Sequence, residues 1–131
     1  MKIIFFISLF GFLGFPQQSE HQLTIKFNGI QLNEGQVLVK IVDKDGKEIA
    51  GHKLVVQNKK AQLTAELPAG SYAISAFHDV NNDNKLNTNP VGLPTEIYGF
   101  SNDARGWFGP PDLEDQLVEI KQNTSINITL K

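Results

Sequence analysis

Short runs of alternating apolar and polar residues, each followed by turn-forming residues, constrain the fold of this chain most. Leu23, Ile25 and Phe27 alternate with polar residues, as in a strand with one buried face. No ten-residue stretch shows a clean helical period, so an all-β fold is expected. The pattern predicts seven strands, at residues 23–27, 36–42, 53–57, 61–67, 71–78, 117–121 and 125–130.

Turn residues and strand spacing predict how these strands are arranged. Asp43–Gly46 predicts a hairpin, and Gln122–Thr124 predicts a second hairpin between the last two strands. Seven short strands at roughly ten-residue spacing are typical of an antiparallel sandwich of the immunoglobulin or transthyretin type. The chain length and the 40% hydrophobic content fit one core, so we expect a single domain over residues 22–131.

The N-terminal residues predict export. Lys2 is followed by the uncharged apolar run Ile3–Phe15, which indicates a signal peptide over residues 1–18, cleaved between Gly14 and Ser19. Thirteen apolar residues span only about 20 Å as a helix, so we expect no permanent membrane anchor. The chain has no cysteine, which excludes disulfides and a lipoprotein anchor. The protein is therefore expected to be periplasmic or secreted.

The charge pattern argues against nucleic acid as a partner. The net charge is −2, and the lysines and arginines are scattered. A protein that binds phosphate backbones usually carries a basic stripe, and none is visible here.

A long segment without a clear strand or helix pattern, Val80–Asp115, separates the fifth and sixth predicted strands. It is 36 residues long, whereas connections are usually about 4–6 residues. Its first part is rich in oxygen ligands. Asp79, Asn81 and Asp83 match the first three ligand positions of an EF-hand loop, and the Lys85 carbonyl would occupy the seventh. This spacing suits a hard cation such as Ca²⁺.

The pattern departs from an EF-hand at two positions. Asn84 replaces the turn glycine, and Pro90 stands where a bidentate Glu is needed. A site would have to be completed by a backbone carbonyl or by Asn87, Glu96 or Asp103. We expect such a site to bind Ca²⁺ weakly, with a dissociation constant on the order of 10⁻⁴–10⁻³ M. The alternative is a metal-free loop whose Asp and Asn side chains bond their own backbone amides.

The second part of the segment is rich in aromatic residues, namely Tyr98, Phe100, Trp107 and Phe108. Such rings could form a platform for a sugar ring or a peptide. Alternatively, they close the open end of the sandwich as a small satellite core.

No catalytic motif is present, so no catalytic residue is assigned. The chain has no Cys nucleophile, Gly-x-Ser-x-Gly elbow or His-Glu-x-x-His run. His78 would be the best candidate base, but neighbours on a strand point to opposite faces, so His78 and Asp79 are not expected to form a dyad. We expect His78 to be structural.

These residues also carry a family resemblance. The sequence resembles the bacterial domain-of-unknown-function family 2141 at residues 77–79, Asn81, Leu86, Asn89, residues 92–102 and Pro110–Pro111. The resemblance implies a secreted or periplasmic bacterial β-sandwich and no particular activity. That family tends to carry glycine and an acid where this chain has Asn84 and Asn87, which weakens the calcium interpretation.

Two functions remain open from the sequence. The first is a non-enzymatic binding or surface-accessory module, with a calcium-ordered loop and a protein or carbohydrate partner. The second is a small extracellular hydrolase, or a polymer-binding enzyme accessory, that uses Asp79, Glu96 or Asp103 as acid and base. A glycosidase needs two carboxyl groups about 5–9.5 Å apart across a cleft, and a domain this small leaves little room for one.

Overall fold

A computed structural model of the chain describes residues 19–131, so the predicted signal peptide lies outside the described residues. A 3₁₀ turn at Ser101–Asp103 and a short helix α1 at Leu113–Gln116 accompany eight strands. The strands are β1 (Glu20–Asn28), β2 (Gln36–Asp43), β3 (Glu48–Val55), β4 (Ala61–Pro68), β5 (Gly70–Asp79), β6 (Tyr98–Phe100), β7 (Val118–Ile120) and β8 (Thr124–Thr129). In this part of the chain no helix is long and apolar enough to cross a bilayer.

The strands form two sheets. The three-stranded sheet has the order β4-β1-β8, in which β1 is antiparallel to β4 and parallel to β8. The second sheet has the order β3-β2-β5-β6, and all its pairs are antiparallel. Strand β7 also pairs with β5, at its Gly70–Tyr72 end, whereas β6 pairs with Ser75–Phe77.

The all-β prediction is confirmed, but the prediction of seven strands in an antiparallel arrangement is wrong. An eighth strand, β6, lies inside the predicted long loop, and its three residues are too few to show an alternating pattern. Strand β8 runs parallel to β1, a direction that local sequence does not specify. The predicted hairpin at Gln122–Thr124 is also absent, because β7 and β8 belong to different sheets.

Alternation along the strands places one core between the two sheets. In β1, Leu23, Ile25 and Phe27 are buried, and Ile128 of β8 lies in the same core. The hairpin between β2 and β3 forms as predicted, because the Asp43 carboxylate accepts hydrogen bonds from two backbone N–H groups in the turn. Strand β3 begins earlier than expected, at Glu48.

Strand β5 also carries side chains on the face that points away from this core. Ile74 and Ala76 belong to the core. Because side chains alternate along a strand, Ser75, Phe77 and Asp79 lie on the opposite, outer face. The outer face of β5 therefore underlies the connection that follows it.

Candidate functional site

Asp79 ends β5 and is fully buried, with 0% of its surface exposed. Its Oδ2 accepts hydrogen bonds from Gln36 Nε2 and from the Asn84 backbone N–H, both at 2.9 Å. Its Oδ1 accepts one from the Asp83 N–H at 3.3 Å. Burial alone would raise the pKa of Asp79, but these hydrogen bonds outweigh it and hold the pKa below its ordinary value. Asp79 is therefore a buried carboxylate that favours the charged form.

Three carboxylates converge at the connection after β5, which we call the acidic loop (residues 80–96). One oxygen each from Asp79, Asp83 and Glu96 lies within 4.8 Å of the others. Glu96 is half-buried and connects both parts of the loop: its Oε2 accepts from the Val80 N–H at 2.9 Å, and its Oε1 accepts from the Asn87 N–H at 3.0 Å. Backbone N–H groups of the acidic loop thus donate to the carboxylates of Asp79 and Glu96.

The acidic loop is also held by its own turns, which is the metal-free arrangement considered above. The Asn89 side chain accepts hydrogen bonds from the N–H groups of Val91 and Leu93. Asn84 has φ +62°, the left-handed conformation expected of the residue that replaces the EF-hand glycine. These bonds join residues of the acidic loop to one another.

The structure brings together only part of the predicted metal set. Asn81 exchanges hydrogen bonds with Asp83, and the Lys85 N–H donates to Asp83 Oδ1 at 3.0 Å. Asn87 contributes its backbone N–H to Glu96. Asp103 is not in the carboxylate group; its Oδ1 accepts from the Thr129 N–H of β8 at 2.8 Å.

Beside the acidic loop, the outer face of the second sheet forms an apolar groove, which we call the outer groove. One part has a volume of about 400 Å³ and the other about 480 Å³, and the two parts share lining residues. The shared residues are Leu86 of the acidic loop, Tyr98 and Phe100 of β6, and Pro110. Tyr98 and Phe100 meet edge to face, with ring centroids 5.9 Å apart.

All four predicted ligand-binding aromatic residues line the outer groove. Trp107 is 95% exposed, and Phe108 is fully exposed, on the segment that we call the aromatic loop (residues 104–112). The alternative expectation of a satellite core is therefore wrong for Trp107 and Phe108. Tyr98 and Phe100 are half-buried and form part of the floor.

Arg105 holds the aromatic loop against β6. Its guanidinium lies over the Tyr98 ring, 4.6 Å from the ring centroid. The same group donates to the Tyr98 carbonyl oxygen at 2.8 Å and to the Lys131 carbonyl oxygen at 3.3 Å. Arg105 therefore positions both Tyr98 and the last residue of the chain.

His78, the candidate base, and the nearby polar residue Ser101 are both buried and bonded to backbone groups. His78 Nε2 donates to the Glu34 carbonyl oxygen at 2.6 Å. Ser101 Oγ accepts from the Ile74 N–H and donates to the Gln116 carbonyl oxygen. These contacts support structural roles.

Sequence reasoning did not identify the strand residues that line the outer groove. Leu38 and Lys40 of β2 and Phe77 of β5 belong to it, and Gln36 holds Asp79. The alternation along β2 could have revealed them. Leu38 lies between buried Val37 and Val39, so its side chain faces away from the core, where an apolar residue suggests a binding surface.

Comparison with known proteins identifies a family. The chain matches the family described as "Uncharacterized protein conserved in bacteria (DUF2141)" over residues 25–127. Searches of curated proteins and of solved structures each gave no match. The matched range includes all of the second sheet, most of the first, the acidic loop and the aromatic loop. This chain therefore belongs to the bacterial family DUF2141.

Proposed function

We propose that this protein is an exported, non-enzymatic binding module that holds an apolar segment of a partner protein in the outer groove. The observation that carries the proposal is the exposure of Trp107 and Phe108 at the edge of a groove floored by Tyr98 and Phe100. Large exposed apolar surface costs free energy in water, and such patches mark interaction sites.

The exposed apolar residues are concentrated around this groove. Within residues 19–131, five of the eight exposed large hydrophobic side chains lie on the acidic and aromatic loops: Leu86, Val91, Leu93, Trp107 and Phe108. Single exposed apolar residues are ordinary, but a concentration of this kind is typical of a protein-binding surface.

The groove lining favours a protein partner over a carbohydrate. Sugar hydroxyls need several polar side chains beside the aromatic rings. The part of the groove next to Trp107 is lined mainly by aliphatic, aromatic, glycine and proline residues, and its polar side-chain groups are the hydroxyls of Thr88 and Tyr98 and the indole N–H of Trp107. Apolar side chains of a partner fit such a lining better than a sugar ring does.

The carboxylates support binding rather than hydrolysis. A catalytic acid or base must reach the substrate, but Asp79 is fully buried. Asp103 is bonded to β8, outside the group formed by Asp79, Asp83 and Glu96. The hydrolase alternative would need two of these groups to face each other across an open cleft.

A selection of displayed random peptides on the immobilised protein tests this proposal. We expect the wild-type protein to enrich apolar peptides, and the double variant Trp107→Ser/Phe108→Ser to lose this enrichment. Bound peptide should also shift Trp107 emission to shorter wavelength, and Trp107 is the only tryptophan in the chain.

A matched control removes two exposed apolar side chains elsewhere. The double variant Leu32→Ser/Val55→Ser should enrich the same peptides as the wild type, because neither residue lines the outer groove. Equal enrichment by the Trp107→Ser/Phe108→Ser variant would contradict the proposal. Binding to polysaccharides without any peptide enrichment would favour a carbohydrate ligand instead.

We also propose that the acidic loop binds Ca²⁺ weakly. The supporting observation is the approach of three carboxylate oxygens, from Asp79, Asp83 and Glu96, to within 4.8 Å. Ca²⁺ takes six to eight oxygen ligands, so Asn81 Oδ1, backbone carbonyls and water would complete the site. Bound Ca²⁺ would neutralise the repulsion between the three groups and stiffen the side of the outer groove that carries Leu86.

Thermal unfolding in excess EGTA, and then in Ca²⁺ raised stepwise to about 100 mM, tests the metal proposal, because about 100 mM is 100 times the weaker end of the expected dissociation constants. At 100 times its dissociation constant, Ca²⁺ that binds only the folded state adds about 2.7 kcal/mol of stability. Asp83→Asn should abolish this shift, whereas Asp112→Asn should retain it, because Asp112 lies outside the carboxylate group. An unchanged melting temperature at every Ca²⁺ concentration would leave the loop metal-free.

Two further properties stay predictions of the sequence. Export to the periplasm or the exterior rests on Lys2 and the apolar run Ile3–Phe15. The immunoglobulin or transthyretin type of sandwich rests on the spacing of the strands, and the shared core between the two sheets supports it.

A further inference from the structure

Among the residues that the structure describes, the outer groove has one charged lining residue, Lys40 of β2. Lys40 is exposed and lies beside Leu38, Ser75 and Phe100 in the part of the groove away from Trp107. From this position, and building on the protein-binding function proposed above, we infer that the bound segment carries an acidic residue at its Lys40 end.

Within residues 19–131, Lys40 forms no ion pair. In the described part of the chain, one ion pair forms, between Lys121 and Glu119 at 3.2 Å. A partner that covers the groove would remove water from the Lys40 ammonium group, and losing hydration without a replacement charge is costly. A carboxylate on the partner supplies that charge, so charge complementarity selects an acidic residue at this point.

The groove also fixes the order of chemical groups along the bound segment. The Lys40 part and the Trp107 part are joined by lining residues that belong to both. A segment that spans the groove therefore places apolar side chains against Trp107 and Phe108 and its acidic residue at the opposite end. A neutral or basic residue at that end would leave Lys40 covered without a partner, or would repel it.

The peptide selection can be extended to test this order. The wild-type protein should enrich apolar peptides with Asp or Glu at one end. One enriched peptide is then resynthesised with Glu, Gln or Lys at that position, and its affinity is measured from Trp107 emission. We expect the wild type to bind the Glu peptide about tenfold more tightly than the Gln peptide, which corresponds to about 1.4 kcal/mol.

Charge reversal at Lys40 provides the decisive comparison. Lys40→Glu should reverse the preference, so that the Lys peptide binds more tightly than the Gln peptide. Lys26→Glu makes the same charge change on β1 in the other sheet, and it should keep the preference for Glu. Circular dichroism of each variant establishes that it is folded.

The possible outcomes separate the inference from the function on which it rests. If no peptide is enriched, the protein-binding function is overturned and the inference with it. If apolar peptides are enriched without an acidic position, or if Lys40→Glu leaves the charge preference unchanged, the inference is overturned while the protein-binding function stands.

Discussion

At the scale of single residues, Gly35 determines how closely the connection before β2 approaches the acidic loop. It has φ +73°, and a side chain there would overlap the Asp79 carbonyl oxygen and lie 2.7 Å from Val80 Cα. We expect Gly35→Ala to lower the unfolding free energy by about 3 kcal/mol, as the sum of backbone strain and overpacking. Urea unfolding measures this loss.

Gly92 provides the control for this variant. It has a similar φ of +89°, but no atom lies within 4 Å of the position that its Cβ would take. Gly92→Ala should therefore lower the unfolding free energy only through backbone strain, by about 1–2 kcal/mol. Equal losses for the two variants would show that the approach to Asp79 contributes nothing.

Tyr72 predicts an alkaline limit to stability. Its hydroxyl donates to the Pro68 carbonyl oxygen at 2.7 Å. Burial, followed by the negative charges of Asp43 and Glu20, raises the pKa of Tyr72 above its ordinary value of 10.0. The pKa of Tyr72 is therefore higher in the folded protein than in the unfolded chain. The contribution of the protonated Tyr72 hydroxyl to the free energy of unfolding is complete below pH 10, and it is lost as the pH rises through the folded-state pKa.

Substitution of Tyr72 by Phe tests this account. The variant should lose about 1 kcal/mol near neutral pH, through the missing hydrogen bond. Its stability should then fall less steeply than that of the wild type above pH 10. Urea unfolding across pH 8–11 measures both effects, and parallel curves for the two proteins would refute the linkage to Tyr72.

At the scale of elements, Glu96 links the start and the middle of the acidic loop through the N–H groups of Val80 and Asn87. Glu96→Gln replaces one charged acceptor by an amide donor, so we expect a local loss of about 1.5–3 kcal/mol. Hydrogen exchange should accelerate at Val80 and Asn87. Glu66→Gln on β4, which removes an exposed charge far from this loop, should leave their exchange unchanged.

The long strands could be predicted because each shows its period within its own residues. Seven of the eight were located, although β3 begins at Glu48 and not at the predicted Lys53. Strand β6 was missed because its position depends on distant residues. A Cβ at Gly99 would lie 2.5 Å from the Thr129 carbonyl oxygen, so β6 approaches β8 only because Gly99 has no side chain.

The same distinction holds for the candidate site. Asp79, Asn81 and Asp83 were identified because their spacing is local. Glu96, which the sequence offers only as one of several residues that could complete the site, joins Asp79 and Asp83 in the structure. Lys40 was not identified, because its role depends on which strand lies beside β5. Local patterns therefore identify acidic and amide residues of the loop, whereas the outer groove depends on which strands lie side by side in the tertiary structure.

At the scale of the whole molecule, sequence reasoning predicted an all-β domain but not how its strands pair. Strands β7 and β8 are separated by only three residues, yet they join different sheets. The alternation of apolar and polar residues in β7 and β8 would be the same if the two strands formed a hairpin. Their actual pairing follows from core packing between distant residues, such as Ile25 opposite Ile126. The direction of a strand and the strand with which it pairs depend on residues far apart in the chain, so local patterns in one sequence do not show them.

The parallel pairing of β1 with β8 places the two ends of the described chain at opposite ends of the molecule. Glu20 lies beside Pro68, whereas Leu130 bonds to Asn28 at the far end of β1, roughly 25–30 Å away. Lys131 bonds to Tyr98, beside the outer groove. Immobilisation through the N-terminal side of Glu20 therefore leaves the groove open to solution, whereas an affinity tag after Lys131 would crowd it.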